Sequence, residues 1–365
     1  MKKYISLILL LLFISINCTA QNIVSLDTTH WEINANAYVI ENYQDEDAIY
    51  IQGGMATLKD TKFVNGTIEF DIYLTERRSF PGIRFRAVDN NMESFYFRPE
   101  LSGKPDANQA LSVINGLSAW QLYFGSPYSF PYDYKFNTWT HVKFVINGKK
   151  AQIFLDYSEK PQLSWHLKLE PKEGSIRIGG SFGAVYYANF KVEKGLPEIK
   201  DFEVNKIEPI KGIISNWNIS DAFDEKMLND YSKLSSLIKN RKWIGSIEVE
   251  ENNVANISWV AKRPSAGLNT VFAKITIESD KDQVKLFEFG YSDRVFAILN
   301  DKTIYKGTNQ YRSRDYRYLG TVGLFDAIYL NLKKGKNTLL FAVSESFGGW
   351  GITGKFENEE GLKIN

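Results

Sequence analysis

From Gly66 to Asp156 the chain alternates between apolar and polar residues at a period of two. That is the signature of strands with one face in a core and one outside it. Ile68, Phe70, Ile72 and Leu74 share one side of the first such run, with Glu69, Asp71 and Tyr73 opposite. Ile83, Phe85 and Ala87 oppose Arg84 and Arg86, while Val142, Phe144 and Ile146 oppose His141 and Lys143. Val88-Asp-Asn-Asn-Met-Glu93 reads as a turn, so strands over 82–88 and 93–98 should pair antiparallel. Asn147-Gly148 predicts a type I′ hairpin, in which both central residues take positive φ. Short strands are predicted at Trp31–Ile33, at Ala48–Ile51 and over Trp120–Phe124. Residues 99–138 are otherwise the least regular part of this half, and an aromatic-rich loop of that length points to function.

After Glu193-Lys-Gly-Leu-Pro-Glu-Ile-Lys200, which has linker composition, a second set of strand patterns runs from Val271 to Phe356. The one helical period is 226–238, with Met227, Leu228, Tyr231, Leu234 and Ile238. Gly348-Gly-Trp350-Gly351 reads as a tight backbone approach beside a packed tryptophan.

The run Trp139-x-x-Val-x-Phe-x-x-x-Gly-x-x-Ala-x-Ile-Phe-Leu-Asp156 resembles the central hairpin of concanavalin A-like (laminin-G-like) sandwiches. Gly66-x-Ile-Glu-Phe-Asp71 and Gly82-Ile-Arg-Phe-Arg-Ala87 fit that family in order, over about residues 23–192. In the second half, Ala273-x-Ile-x-Ile-x-Ser-Asp280, Gly290-Tyr-Ser-Asp-Arg-Val295 and Leu332-x-x-Gly-x-Asn-x-Leu-Leu-Phe-Ala-Val343 resemble a galactose-binding-domain-like jelly roll. Trp217-Asn-Ile-Ser-Asp-Ala-Phe223 is similar to the opening of such modules. The expected fold is all-β, two β-sandwich (jelly-roll) domains in tandem, with a signal peptide over 1–20 and domains over 21–194 and 195–365.

Composition narrows the compartment and the chemistry. Met1-Lys-Lys followed by the apolar run Ile5–Ile16 and Thr19-Ala20 reads as a secretory signal cleaved after Ala20. A lipidated Cys18 is the alternative, disfavoured by Asn17 before it. Losing Lys2 and Lys3 takes the formal charge from +1 to −1, so neither nucleic acid nor an acidic membrane is expected as partner, and no other hydrophobic run is long enough for a membrane-spanning helix. Cys18 is the sole cysteine, and the histidines are His30, His141 and His166, which excludes disulfides and zinc clusters of His and Cys. No cofactor is expected. Asp45, Glu46 and Asp47 read as a solvated turn, with a calcium site as the alternative, since hard cations want oxygen ligands.

Alternation places Arg84, Arg86, Tyr96 and Arg98 on one outer face. Guanidinium forks suit sugar hydroxyls or a uronate carboxylate, and surface pairing with Glu69, Asp71 or Glu100 is the plainer alternative. Asn108, Gln109, Trp120, Gln121 and Tyr123 in the adjoining segment would contribute amide hydrogen bonds and flat apolar faces. Arg312, Arg314 and Tyr316 form a second candidate contact loop. No catalytic or metal-binding residue is assigned. Laminarinase-type relatives carry Glu-x-Asp-x-x-Glu or a similar run on one strand, and Tyr73 and Leu74 stand here where the last acid should follow, with Glu76 beyond the strand. The resemblance around Gly82–Ala87 extends to three-keto-glycoside hydrolases. The sequence therefore favours a secreted, non-catalytic carbohydrate-recognition protein, with a sugar-acting enzyme and a protein-adhesion module as rivals.

Overall fold

A computed structural model describes residues 23–262, 264–314 and 320–365. The signal-peptide reading, Cys18 and Tyr316 lie outside the described residues. The fold is all-β, built of curled antiparallel sheets.

In the first half, β1 (Trp31–Tyr43) and β2 (Glu46–Leu58) form a long hairpin. They are far longer than the short segments their apolar residues suggest. Much of β1 is exposed on both faces, so it carries no alternation to read. Gln44 and Asp45 turn the chain with positive φ, which places Asp45, Glu46 and Asp47 at a hairpin tip, where Asn42 donates to Asp47 at 3.2 Å. The strands β3 (Gly66–Tyr73), β4 (Phe80–Val88), β5 (Asn91–Phe97), β6 (Asn108–Ile114) and β7 (Leu117–Ser118) follow. Then come β8 (Trp139–Asn147), β9 (Lys150–Leu155), β10 (Leu163–His166) and the 20-residue β11 (Ser175–Lys194).

Their hydrogen bonding forms one ladder that folds over on itself. The first part of β11 pairs with β4, its last part pairs with β3, and β2 runs beside both parts. One layer is therefore β10-β9-β8-β3 with the end of β11, and the other is the start of β11 with β4-β5-β6-β7. Rings from the two layers meet in the core, with Phe95 5.5 Å from Phe144 and 6.0 Å from Trp165. The bend is pinned from within. The buried Tyr187 hydroxyl accepts from Gly82 N–H (2.9 Å) and Gly179 N–H (3.1 Å) and lies 3.0 Å from both of their carbonyls. Gly179 has φ +134, and a Cβ there would lie 2.3 Å from the Gly54 carbonyl.

Three sequence-based expectations change here. The hairpin between β8 and β9 turns on Gly148-Lys149, since Asn147 pairs with Lys150, and of those turn residues only Gly148 has positive φ. Trp120–Phe124 is a turn, because Leu122 and Tyr123 both donate backward to the Ala119 carbonyl. Asn108 and Gln109 lie in β6 and not in a loop.

The second half opens with β12 (Asn216–Ser220), then the helix α1 (Leu234–Lys239), β13 (Trp243–Glu248) and β14 (Ala255–Asn256). The expected helix over 226–238 is broken because Asp224 and Asp230 each cap a new 3₁₀ turn, accepting from Lys226 N–H and Ser232 N–H. Then follow β15 (Thr270–Ser279), β16 (Gln283–Tyr291), β17 (Arg294–Leu299), β18 (Lys302–Thr308), β19 (Asp326–Leu332), β20 (Gly335–Ser344), β21 (Gly351–Phe356) and β22 (Leu362–Ile364). A seven-stranded sheet, β13-β12-β15-β20-β17-β18 with β22 on β15, faces a four-stranded one, β14-β21-β16-β19. Phe341 of the larger sheet packs 4.9 Å from Phe289 of the smaller. Leu234 and Leu237 of α1 cover the far side of the larger sheet against Phe272, Phe296 and Leu340.

The halves share a third apolar cluster. Met92, Leu111 and Val113 on the outer face of β5 and β6, with Leu122 and Tyr123 above them, meet Val254 and Val322. Gln121, fully buried, donates to the Gly320 carbonyl (2.8 Å) and accepts from Gly349 N–H (3.1 Å). A Cβ on Gly349 would lie 2.5 Å from Leu122 and 2.8 Å from Ala119, so glycine is what lets the halves approach.

Tyr187→Phe should lower stability by about 1–3 kcal/mol, since two buried N–H groups lose their acceptor. A chemical denaturation midpoint that falls at constant m-value is the expected readout. Residues 21–194 expressed alone should still melt cooperatively, but below the first transition of the full chain, because Met92, Leu111 and Val113 would face water. An unchanged melting temperature would show that the shared cluster contributes nothing.

Candidate functional site

The candidate sugar face of arginines is divided. Arg84 stands opposite Arg177 of β11 and Ser94 of β5 on the outer side. Arg86 does not join it. A bulge between Phe85 and Val88 puts Arg86 at φ +51 and turns its side chain away. There it is buried, donating to the Val64 carbonyl (2.7 Å), the Gly148 carbonyl (2.7 Å) and Asn65 Oδ1 (3.1 Å). Arg86 thus locks the turns that precede β3 and follow β8.

Tyr96, Arg98, Gln109, Trp120 and Tyr123 do come together, as internal scaffolding. Arg98 donates to the Tyr96 hydroxyl at 2.9 Å and to Gln109 Oε1. The Gln109 amide in turn donates to the carbonyls of Trp120 (2.9 Å) and Tyr123. Arg98 also lies 3.7 Å from Asp106. The fully buried Asn108 exchanges hydrogen bonds with the backbone of Phe130. Trp120 packs between Tyr311 and Phe347 of the second half, each 6.0 Å away. The Tyr123 hydroxyl donates to Glu250 (2.9 Å). Burial and the Glu250 carboxylate both push its pKa far up. Arg314 is held by Asp326, the Tyr291 hydroxyl (3.1 Å) and the Thr308 carbonyl (3.2 Å), while exposed Arg312 lies 5.0 Å over Tyr311. Among the described residues, then, most of these groups hold the chain to itself.

A different constellation lies on the outer face of the β3–β8 layer. Register sets Asp71 opposite His141 and Glu69 opposite Lys143. His141 Nδ1 lies 2.7 Å from Asp71 Oδ1, and Nε2 lies 3.5 Å from Glu69 Oε2. The other Asp71 oxygen accepts from Asn189 at 2.7 Å, and Asn189 reaches it because a bulge in β11 holds that residue at φ +51. Lys143 stands 3.7 Å from Glu69. Burial would lower the His141 pKa, but the hydrogen bonds to Asp71 and Glu69 outweigh it and push it up to about 9. The hydrogen bond from His141, helped by Lys143, holds the Glu69 carboxyl below its usual range against the effect of burial. Tyr157, 76% exposed, stacks flat on the imidazole at 4.0 Å.

One residue pair along, the same face becomes aromatic. Tyr73 pairs in register with Trp139 on one side and Tyr186 on the other. Tyr43 stacks on Tyr186 at 3.8 Å and meets Tyr73 edge-on at 5.1 Å, and Tyr50 lies 5.0 Å from Tyr186. Trp139, Tyr43, Tyr50 and Tyr186 are all part-exposed. Chemically this surface offers flat rings for the apolar faces of a ligand, beside carboxylates that accept from hydroxyls. With a carboxylate at each ring nitrogen, His141 has no free lone pair to act as a base. The sequence showed Glu69, Asp71, Tyr73 and His141 pointing outward, but it could not show the register that joins them.

Glu69 and Asp71 sit two residues apart on β3, while Glu100 pairs with Arg78 at 3.7 Å, so the three acids do not face one another across a cleft. Among the described residues no group of three His, Cys, Asp or Glu is placed to hold a metal ion, and no helix is long and apolar enough to cross a membrane.

No family model matches the chain, and no curated protein matches it. Solved structures are similar to about half of it. The carbohydrate binding module CBM66 from Bacillus subtilis is 15% identical over 47% of this chain and 98% of that one, at a TM-score of 0.34. A putative glycosyl hydrolase from Parabacteroides distasonis is 14% identical over 46% and 89%, at 0.32. The galectin LEC-6 of Caenorhabditis elegans is 16% identical over 44% and 99%, at 0.28.

Proposed function

We propose that the protein is secreted and recognises a carbohydrate without cleaving it. Its surface for the apolar faces of sugar rings is the outer face of the β3–β8 layer, since a bulge takes Arg86 off the four-residue arginine face. The observation that carries this reading is the continuity of part-exposed Trp139, Tyr43, Tyr50 and Tyr186 with the Tyr157–His141–Asp71–Glu69 group. Pyranose rings present C–H faces to aromatic planes and hydroxyls to carboxylates, and this surface supplies both within a few strands. A fixed imidazolium between two carboxylates is suited to orienting acceptors, not to moving protons.

Affinity electrophoresis against a panel of soluble polysaccharides tests it. Tyr157→Ala should weaken retardation about tenfold, or ~1.4 kcal/mol, with little change in melting temperature because the ring is largely exposed. Retardation of wild type by no neutral polysaccharide, or equal retardation of the variant by one, would refute the site. Reducing-end release by wild type, lost in Glu69→Gln, would refute the non-catalytic part.

The ion pair also has a pH signature. His141 has a folded pKa of about 9, above its unfolded value of about 6.5, so its contribution is complete below about pH 6.5 and is lost as pH rises through 9. The stability difference between wild type and His141→Gln should shrink by about 1–2 kcal/mol across that window, allowing for solvent screening. A difference that stays flat in urea titrations from pH 6 to 9.5 would show that His141 is uncharged in the fold.

A further inference from the structure

The opposite layer of the same sandwich carries a charge arrangement that the aromatic face does not use. Across its outer side, register lines up Glu32, Thr57, Arg177, Arg84 and Ser94 on five neighbouring strands. Directly opposed side chains in an antiparallel pair have Cβ atoms about 4.5–5.5 Å apart, so Arg177 and Arg84 are immediate neighbours of like charge. Among the described residues neither has a carboxylate within 4 Å. Glu32 is separated from Arg177 by the Thr57 strand. Glu93, one residue from Ser94, points inward to Ser112 and Leu169 N–H. Arg177 has only a long contact to Ser175 Oγ at 3.4 Å, and Arg84 donates to no described residue. Both are half-buried. The next pair in register, Gly179 and Gly82, carries no side chain and so offers the arginines no partner.

Every other half-buried or buried arginine described on this half has an oxygen partner: Arg86 has Val64 and Gly148, and Arg98 has Gln109 and Asp106. Two adjacent guanidiniums that share one long hydroxyl contact and no carboxylate or carbonyl among the described residues, on a surface partly withdrawn from water, are costly unless an anion completes them. The geometry points to Arg84 and Arg177 as a site for an oxyanion on a glycan, a uronate carboxylate or a sulfate ester, held by paired guanidinium forks. The choice of a glycan as carrier rests on the function proposed above; the oxyanion itself rests on the arginine pair alone.

The test is isothermal titration of the full chain with polygalacturonate, with a sulfated galactan and with neutral laminarin, at low and at moderate salt. One charged polymer should bind, more weakly as salt rises, and Arg177→Gln should reduce its affinity at least tenfold. Arg84→Gln should do the same, and since Arg84 is packed more deeply, its fold is checked by its melting curve. Binding of polygalacturonate alone identifies the carboxylate, and binding of the galactan alone identifies the sulfate. Tyr157→Ala should leave this charged component intact, so a failed aromatic face and a failed arginine site give different results. Absence of binding by both charged polymers, or binding that Arg177→Gln leaves unchanged, overturns the proposal.

Discussion

A single phenolic oxygen sits where the sandwich would otherwise come apart. The fold of the first half requires β2 and β11 to leave one layer and enter the other, which their shared ladder manages with a register shift between Gly180 and Ala184. At that corner β4 and β11 are spread around Gly82 and Gly179, whose backbone polar groups are deep inside. Tyr187 projects from the far part of β11 back into the gap and satisfies them. A hydroxyl can accept twice and donate once, which matches two N–H donors and a choice of two carbonyls. The corner in turn sets the angle between the layers, and therefore which outer face carries Tyr186 and which carries Arg177.

The junction between the halves explains why a polar-looking stretch is mostly internal. The outer sides of β5 and β6 alternate as a strand should, but what covers them is the second half and not water. Amides and aromatics such as Gln109, Gln121 and Tyr123 are there because a loop running over a buried surface must have its backbone groups satisfied. Gln121 binds both the Gly320 carbonyl and Gly349 N–H, so it serves a wall made of two different segments of the second half. Its composition resembles that of a sugar site because both tasks call for the same donors.

The strands of both halves were legible because alternation and turn residues are local. Ile68, Phe70, Ile72, Leu74, Ile83, Phe85, Val142, Phe144 and Ile146 lie inward as their spacing says, whereas Ala87, past the bulge, joins the outer cluster; Trp350 is buried with its N–H on the Val343 carbonyl. What was not legible depends on register or on one extra residue. A single bulge at Arg86 removes it from the face of Arg84, and another at Asn189 supplies the second partner of Asp71. His141 and Asp71 are 70 positions apart and become neighbours only through β3–β8 pairing. The exposed length of β1 was equally invisible, since a strand wet on both sides has no hydrophobic period.

The carboxylate clamp on His141 also fixes what the surrounding surface can sense. An imidazole with its pKa near neutrality would gain or lose charge as its surroundings acidify, and would couple any ligand on that face to proton uptake. This one is already charged from mildly acidic to neutral conditions, with Glu69 ionised beside it. The face therefore presents one constant electrostatic pattern across that whole range, and its charge does not follow the acidity around it.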